Sequence, residues 1–328
     1  MTTGSPLALW LGVAALLGAS AVALAIALAM PRLRPRLTRL APARRARVLT
    51  ALCLAPLAAG FGLALACLLP SLYSRLWPTL DHCTRHADEH LHLCLAHPPA
   101  AALGLLALLI GAAALSLLVA RGVPGVIGLW RAHRVLARLR GASMQDASGV
   151  RSVDSDAAFS FAGGLVRPDI YLSRGLREHL APAQLAAVLE HERAHVRRRD
   201  VLRRHAARLG ALMHTPATAR HLLSALELAC EEACDTEAAA TLGDRVQVAQ
   251  AIVAVARLGT RPPSTVAATV LGFTGDALSH RVAALLETPA PEPIASRWAV
   301  PAALMALVLL APALHHATET VLSLLARP

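Results

Sequence analysis

The amino-acid sequence predicts a mainly α-helical membrane protein, in which four transmembrane helices carry an α+β domain inserted between the third and fourth spans. The chain of 328 residues is 55% apolar and has a mean hydropathy of +0.51, beyond the roughly 45–50% apolar content of soluble domains. Four stretches also stay apolar over about 20 residues, the length that a helix needs to cross a bilayer. They are residues 6–30, 49–73, 99–120 and 298–315.

The arginines predict the orientation of these spans. Seven of them lie between the first two spans, and basic loops are retained in the cytoplasm: Arg32, Arg34, Arg36, Arg39, Arg44, Arg45 and Arg47. The first stretch lacks the basic start of a signal peptide and exceeds its roughly 7–15 apolar residues, so we expect an uncleaved span. We therefore expect a multi-pass protein of the bacterial inner membrane, with both termini in the periplasm.

This orientation divides the chain into three regions. Residues 1–121 form a three-helix transmembrane region, residues 122–297 a cytoplasmic domain, and residues 298–328 the fourth span with a short periplasmic tail. Residues 123–140 alternate apolar and arginine-bearing turns around Trp130. They suit an amphipathic helix along the inner leaflet and, equally, a plain extension of the third span.

Local signals in the cytoplasmic domain indicate a strand pair followed by a helix. In residues 159–173, Gly163 and Gly164 suit a turn. The residues Ile170, Tyr171, Leu172 and Ser173 suit a short strand, and we expect a hairpin or paired edge strands. Pro182 then opens a helix that continues through residue 190.

That helix leads into the sequence His-Glu-Arg-Ala-His at residues 191–195. Residues four apart lie on one helix face, so His191 and His195 can present their imidazoles to one zinc ion, with Glu192 beside its open position. A zinc ion held in this way lowers the pKa of a water and polarises a carbonyl. We therefore expect one catalytic zinc ion and assign Glu192 as the catalytic base.

A catalytic zinc site needs a third protein ligand, which the acidic stretch at residues 228–239 can supply. We predict Glu231 as that ligand. Asp235 lies one turn later on the same helix face and is expected to accept the free N–H of a ligating histidine. Glu232 points about 100° away, which makes it the weaker candidate. Asp200 is expected to pair with a nearby arginine or to support the site.

Taken together, residues 159–173, residues 187–195, Asp200 and residues 231–235 resemble the membrane metallopeptidases of the BlaR/MecR antirepressor type, family fifty-six of the metallopeptidases. The resemblance extends to the four-span plan. It implies a gluzincin-like fold in which Glu231 completes the zinc site. It also implies that the edge strand formed by Ile170, Tyr171, Leu172 and Ser173 binds the substrate backbone by strand addition. The beta-lactam sensors of this family end in a penicillin-binding domain, which this chain lacks after the fourth span, so we do not expect antibiotic sensing.

The predicted external loop is rich in metal-binding side chains. Between His82 and His97 it contains five histidines together with Cys83 and Cys94. These residue types suit zinc or copper and would make a periplasmic metal-sensing element. A Cys83–Cys94 disulfide is the simpler interpretation, because the periplasm is oxidising.

The remaining candidates have simpler structural interpretations. Cys230 and Cys234 are expected to pack in the core, and the clusters Arg197–Arg199 and Arg203–Arg204 to form a solvated or lipid-facing basic surface. His205, His214, Tyr171 or an arginine could stabilise an oxyanion.

The expected function is that of a membrane-anchored zinc endopeptidase. Its partners are a protein or peptide substrate that is cytoplasmic or close to the membrane, of a regulatory kind, and the lipid bilayer. Nucleic acid is not expected, because only 3% of residues are aromatic and no binding motif is present. The alternatives are a non-catalytic signalling protein and a sensor of periplasmic metal.

Overall fold

The computed structural model describes residues 5–77, 93, 105–259, 275–287 and 299–325. Its long helices are α1 (Ser5–Leu37), α2 (Pro42–Leu76), α3 (Leu105–Ala142) and α10 (Ala299–Leu325). Among the described residues, three segments are long and apolar enough to cross a membrane: Leu7–Leu37, Pro42–Tyr73 and Gly111–Ala142. They indicate a membrane protein, and the mainly helical class is confirmed. That α10 is a fourth span stays a prediction, as do the three-region division and the orientation.

Six further helices and four short strands make up the rest of the described fold. The strands are β1 (Met144–Gln145), β2 (Val150–Val153), β3 (Ser160–Gly163) and β4 (Asp169–Ser173). The helices are α4 (Arg174–His179), α5 (Pro182–Arg198), α6 (Asp200–Ala211), α7 (Pro216–Leu242), α8 (Arg245–Arg257) and α9 (Gly275–Leu286). Pro182 occupies the first turn of α5 as predicted, where its missing N–H breaks no hydrogen bond.

The four strands form one sheet in the order β1-β2-β4-β3, with β4 parallel to β2 and antiparallel to β3. The prediction that Ile170, Tyr171, Leu172 and Ser173 form an edge strand was wrong. These residues belong to β4, which is hydrogen-bonded on both sides, and β3 is the outer strand. The error arises because a hairpin pattern predicts which two strands pair but not whether a strand from elsewhere in the chain pairs with the second one.

Helix α5 packs on the sheet, and α7 and α8 pack against α5. Leu172 and Leu176 pack with Val188 of α5, Ala238 of α7 and Val248 of α8 in one buried apolar cluster. This packing brings α5, which carries the histidine pair, against α7, which carries Glu231.

Helices α6 and α7 also pack against the first half of α2. Leu222 and Leu226 of α7 lie in a buried cluster with Leu49 and Cys53 of α2. Helix α6 approaches so closely that a side chain at Gly210 would collide with the carbonyl of Cys53. Helices α6 and α7 therefore pack directly on α2, one of the three candidate membrane spans.

Helix α3 runs without a break from the third predicted span through residues 123–140. Its 38 residues correspond to a length of about 57 Å. This continuity favours the plain extension over a separate helix along the leaflet. Arg121 joins α3 to the domain, since its guanidinium donates to the carbonyls of His214 (2.9 Å) and Ala211 (3.3 Å).

The histidine-rich loop, including Cys83 and Cys94, lies outside the described residues, apart from Leu93. The backbone N–H of Leu93 donates to Glu319 of α10 at 2.7 Å. The question of a disulfide or a metal in this loop therefore stays open.

Candidate metal centre

The two predicted histidine ligands face each other on α5. Their Nε2 atoms lie 3.1 Å apart, and the rings meet edge to face. Both side chains are largely buried, with 13% and 10% of the side chain exposed for His191 and His195. Residues i and i+4 of a helix lie one turn apart on the same face, which is why the spacing produces this pair.

Glu231 of α7 lies opposite this pair. One of its carboxylate oxygens is 3.4 Å from His191 Nε2 and the other is 3.4 Å from His195 Nε2. The ligand atoms of the three residues lie within 4.8 Å of one another. Donors about 2.0–2.2 Å from a tetrahedral zinc ion would be roughly 3.3 Å apart. The donor set and its spacings therefore fit zinc with one coordination position left for water.

Each histidine also contacts a buried aspartate through its other ring nitrogen. His191 Nδ1 lies 2.8 Å from Asp235 Oδ1, and His195 Nδ1 lies 3.0 Å from Asp200 Oδ2. Both aspartates are only 1% exposed. A carboxylate in this position fixes the tautomer and the orientation of a ligating imidazole, so Nε2 of each ring is directed at the ion position.

Glu192 lies between α5 and the outer strand. It is 6% exposed, and its Oε1 accepts a hydrogen bond of 2.8 Å from Ser160 Oγ at the start of β3. Ser160 is a site residue that the sequence analysis missed. The hydroxyl lies inside the run at residues 159–173, but no local pattern relates it to a helix more than 30 residues away.

Two buried arginines hold the acidic residues of the site. Arg204 Nη2 donates to Glu231 at 2.8 Å. Arg281 of α9 donates to both oxygens of Asp235 at 2.7 Å and lies 3.4 Å from Glu231. The exposed fractions of the two arginine side chains are 13% and 4%.

The prediction of a solvated surface for Arg203–Arg204 was therefore wrong. Arg203 donates to Asp200 at 2.6 Å, and Arg198, 14% exposed, lies 3.5 Å from the same aspartate. These arginines turn inward because the carboxylates of the site supply the counter-charges that burial requires. Arg197, in contrast, is 45% exposed and pairs with Glu237.

A third arginine reaches the ligand helix from the membrane region. Arg45, in the first turns of α2, forms an ion pair with Glu232. The two side chains are 12% and 6% exposed. Glu232 directly follows Glu231, so this ion pair connects the start of α2 to the position of the predicted third ligand. The carboxylate of Glu232 is directed at α2 rather than at the histidines.

The charges of the site shift the pKa values of its members in the metal-free protein. Burial acts to lower the pKa of His191, but Asp235 and Glu231 outweigh it and raise this pKa to about 10. The pKa of His195 is raised in the same way by Glu231 and Asp200 against the effect of burial. Burial acts to raise the pKa of Glu231, but the two histidines and Arg281 hold it well below 4.5. The site is thus built to hold positive charge.

The other candidates from the sequence lie away from the ion position. Cys230 packs in the apolar cluster with α2. Cys234 Sγ lies 3.2 Å from Nδ1 of His195 and 3.3 Å from Asp200, on the side of the ring away from the ion position. His214 contacts the carbonyl of Leu52 on α2 at 3.1 Å, and Tyr171 stacks on Phe161.

One helix carries two histidines with a glutamate between them, and a second helix supplies another glutamate. This arrangement is typical of the zinc sites of metallopeptidases. In agreement, residues 130–267 match the model of peptidase family M48, a zinc metallopeptidase family. A metallopeptidase domain is therefore present. The match names a different family from the BlaR/MecR type, and that finer resemblance stays a prediction. No curated protein and no solved structure matches the chain.

Proposed function

We propose that the protein is a membrane-anchored, zinc-dependent endopeptidase that hydrolyses peptide bonds of a cytoplasmic or membrane-proximal protein of regulatory kind. The observation that carries this proposal is the convergence of His191, His195 and Glu231 at zinc-like spacings, with a buried aspartate behind each imidazole. In this proposal the fold is gluzincin-like, and α10 is the fourth span.

Each residue has a defined task. His191, His195 and Glu231 would hold one zinc ion. When bound, zinc would supply Lewis acidity, which lowers the pKa of a water and polarises the scissile carbonyl. Glu192 would take the proton of the attacking water on its carboxylate and deliver it to the leaving amine. Asp235 and Asp200 would keep Nδ1 of the two rings protonated, so that Nε2 is available to the metal.

The outer strand β3 is proposed to position the substrate. Among the described residues no strand pairs with its outer side, and an extended peptide could add there by backbone hydrogen bonds. Ser160 at the start of β3 contacts Glu192, so a peptide on this strand would pass the catalytic base. This assignment replaces the inner strand β4 of the sequence prediction.

The seven arginines between the first two predicted spans support a cytoplasmic catalytic domain. Arg45, at the start of α2, is one of these arginines and contacts Glu232 beside the proposed metal ligand. The site is therefore proposed to lie close to the inner membrane surface. Substrates there would be membrane proteins with cytoplasmic segments or proteins recruited to the membrane.

The test uses full-length protein in detergent, with zinc content and proteolysis measured in parallel. We expect about one zinc per chain in the wild type and in Glu192→Gln, with cleavage only in the wild type. His195→Ala is expected to lose the metal. Comparison of the cellular proteomes with wild type and with Glu192→Gln should reveal a fragment that only the wild type produces. Zinc-independent cleavage, or cleavage by purified Glu192→Gln at the wild-type rate, would contradict the proposal.

A further inference from the structure

A cleft lies beside the site, between α3, β3 and α6. Its cavity volume is about 60 Å³, far below the roughly 300–1,000 Å³ of pockets that bind drug-sized ligands, so it suits a single side chain. Much of its lining is apolar: Leu129, Ala132 and Leu136 of α3, Ala162 of β3, Leu165, and Val201 of α6. Two histidines, His133 of α3 and His205 of α6, also line it. Such a surface gains free energy by covering an apolar side chain.

The cleft is continuous with the proposed substrate strand. Ser160 contacts Glu192 at the start of β3, and Ala162 lies on the same face of the strand because side chains alternate. A strand advances by about 3.3 Å per residue, so the cleft at Ala162 and Gly163 begins roughly 7–10 Å along β3 from the catalytic base. A peptide paired with β3 would therefore place a residue two to four positions from the scissile bond at the cleft.

The residues that line the cleft determine which side chain fits into it. Leu136 packs so closely on the end of β3 that a side chain at Gly163 would approach its Cδ2 to 2.7 Å. Phe161, 3% exposed, lies on the opposite face of β3 from Ala162 and stacks there on Tyr171. Phe161 and Ala162 both line the cleft, which therefore follows the outer edge of β3. Among the described residues, no carboxylate and no arginine lines the cleft. His133 and His205 are the titratable residues of the lining, and Nδ1 of His205 lies 2.7 Å from the carbonyl of Val201. The apolar side chains around them favour a bulky apolar occupant.

We propose that this cleft is a specificity subsite, which binds an aliphatic or aromatic side chain of the substrate two to four residues from the cleaved bond. This inference rests on the proposed peptidase function. It identifies the substrate class as peptide segments with a bulky apolar residue at a fixed distance from the cut, as in the flanks of membrane spans.

The test uses ten-residue peptides of alanine, serine and glycine in which a single leucine is moved through every position. For the zinc-loaded wild type, we expect the cleaved bond to stay at a constant distance from the leucine. We expect kcat/KM to exceed that of the leucine-free peptide by about 10–200-fold, the usual range for small changes in an apolar pocket. A cut whose position ignores the leucine would overturn the proposal.

Variants connect this selectivity to the cleft. Ala132→Leu fills the cleft and should bring the ratio of kcat/KM for leucine peptides to kcat/KM for the leucine-free peptide close to one. Ala137→Leu adds the same bulk at an exposed position of α3 outside the cleft and should keep the preference. Leu129→Gln, at a rim position 37% exposed, tests the same point if Ala132→Leu folds poorly and should weaken the preference. An unchanged preference in well-folded cleft variants would refute the subsite.

A binding measurement separates this proposal from the catalytic one. Fluorescence anisotropy with labelled peptides and the Glu192→Gln protein should show tighter binding of leucine peptides than of the leucine-free peptide, and Ala132→Leu in that background should remove the difference. If leucine peptides bind selectively but the wild type cleaves none of them, the subsite stands and the proposed hydrolysis fails. Equal binding of all peptides would overturn the subsite whatever the protein cleaves.

Discussion

The buried ion pair between Asp235 and Arg281 gives the sharpest prediction about the site. Arg281 donates two hydrogen bonds of 2.7 Å to Asp235, and the two residues are 4% and 1% exposed. Asp235→Ala would leave the guanidinium buried with its main counter-charge removed, which costs about 3–5 kcal/mol. In a domain of this size such a loss lowers Tm by about 6–20 °C.

The same aspartate also orients His191, whose Nδ1 lies 2.8 Å from its carboxylate. Loss of a carboxylate behind a ligating histidine weakens metal binding by about 10–100-fold. Replacing both charged residues, as in Asp235→Ala with Arg281→Met, should restore most of the stability, because an apolar pair is often as stable as a buried ion pair. Zinc affinity should stay low in the double variant, because no carboxylate then orients the imidazole of His191.

The assays are thermal unfolding of metal-free protein in detergent and zinc titration against a chelating dye. Glu237→Ala is the matched control on the same helix. Glu237 pairs with Arg197, but the two side chains are 32% and 45% exposed, so its loss should cost at most about 1 kcal/mol. The reasoning would be refuted if Asp235→Ala unfolded and bound zinc like the Glu237→Ala control.

Three further predictions follow from the site. Glu192→Gln should lower kcat by about 10²–10⁴-fold with zinc content unchanged; an equal loss of zinc would show that the residue acts on the metal instead. Arg45→Met should lower the free energy of unfolding by about 3–5 kcal/mol, because Glu232 would stay buried without its partner. Arg47→Met, at an exposed position of the same helix, is the control. Equal Tm values for Arg45→Met and Arg47→Met would contradict the pairing. Protonated His191, with its pKa raised to about 10, stabilises the metal-free fold fully below about pH 6.5. This contribution should be lost as the pH rises through about 10. A free energy of unfolding of the metal-free protein that did not fall between about pH 7 and pH 10 would contradict the raised pKa of His191.

The sequence could predict those parts of the site that depend on short-range geometry. A helix places His191 and His195 on one face whatever surrounds it, and the acidic stretch was the nearest source of a third ligand. The structure brings Glu231, Asp235 and Asp200 to that pair. Their roles as ligand and supports stay predictions until metal is measured.

Long-range pairings could not be predicted in the same way. The inward position of Arg204 and Arg281 depends on how α6 and α9 pack against α7, and an arginine has the same local pattern whether it is solvated or buried beside a carboxylate. The order of the strands has the same origin, because β2 lies beside β4 through a contact that no turn residue specifies. Ser160 became a site residue only through this sheet.

X-ray absorption spectroscopy of zinc in the purified full-length protein tests the central claim most directly. The account predicts one zinc ion with nitrogen and oxygen neighbours at about 2.0–2.2 Å, two of them imidazoles, and loss of this signal in Glu231→Ala. A sulfur neighbour at about 2.3 Å, or an unchanged spectrum in Glu231→Ala, would contradict it.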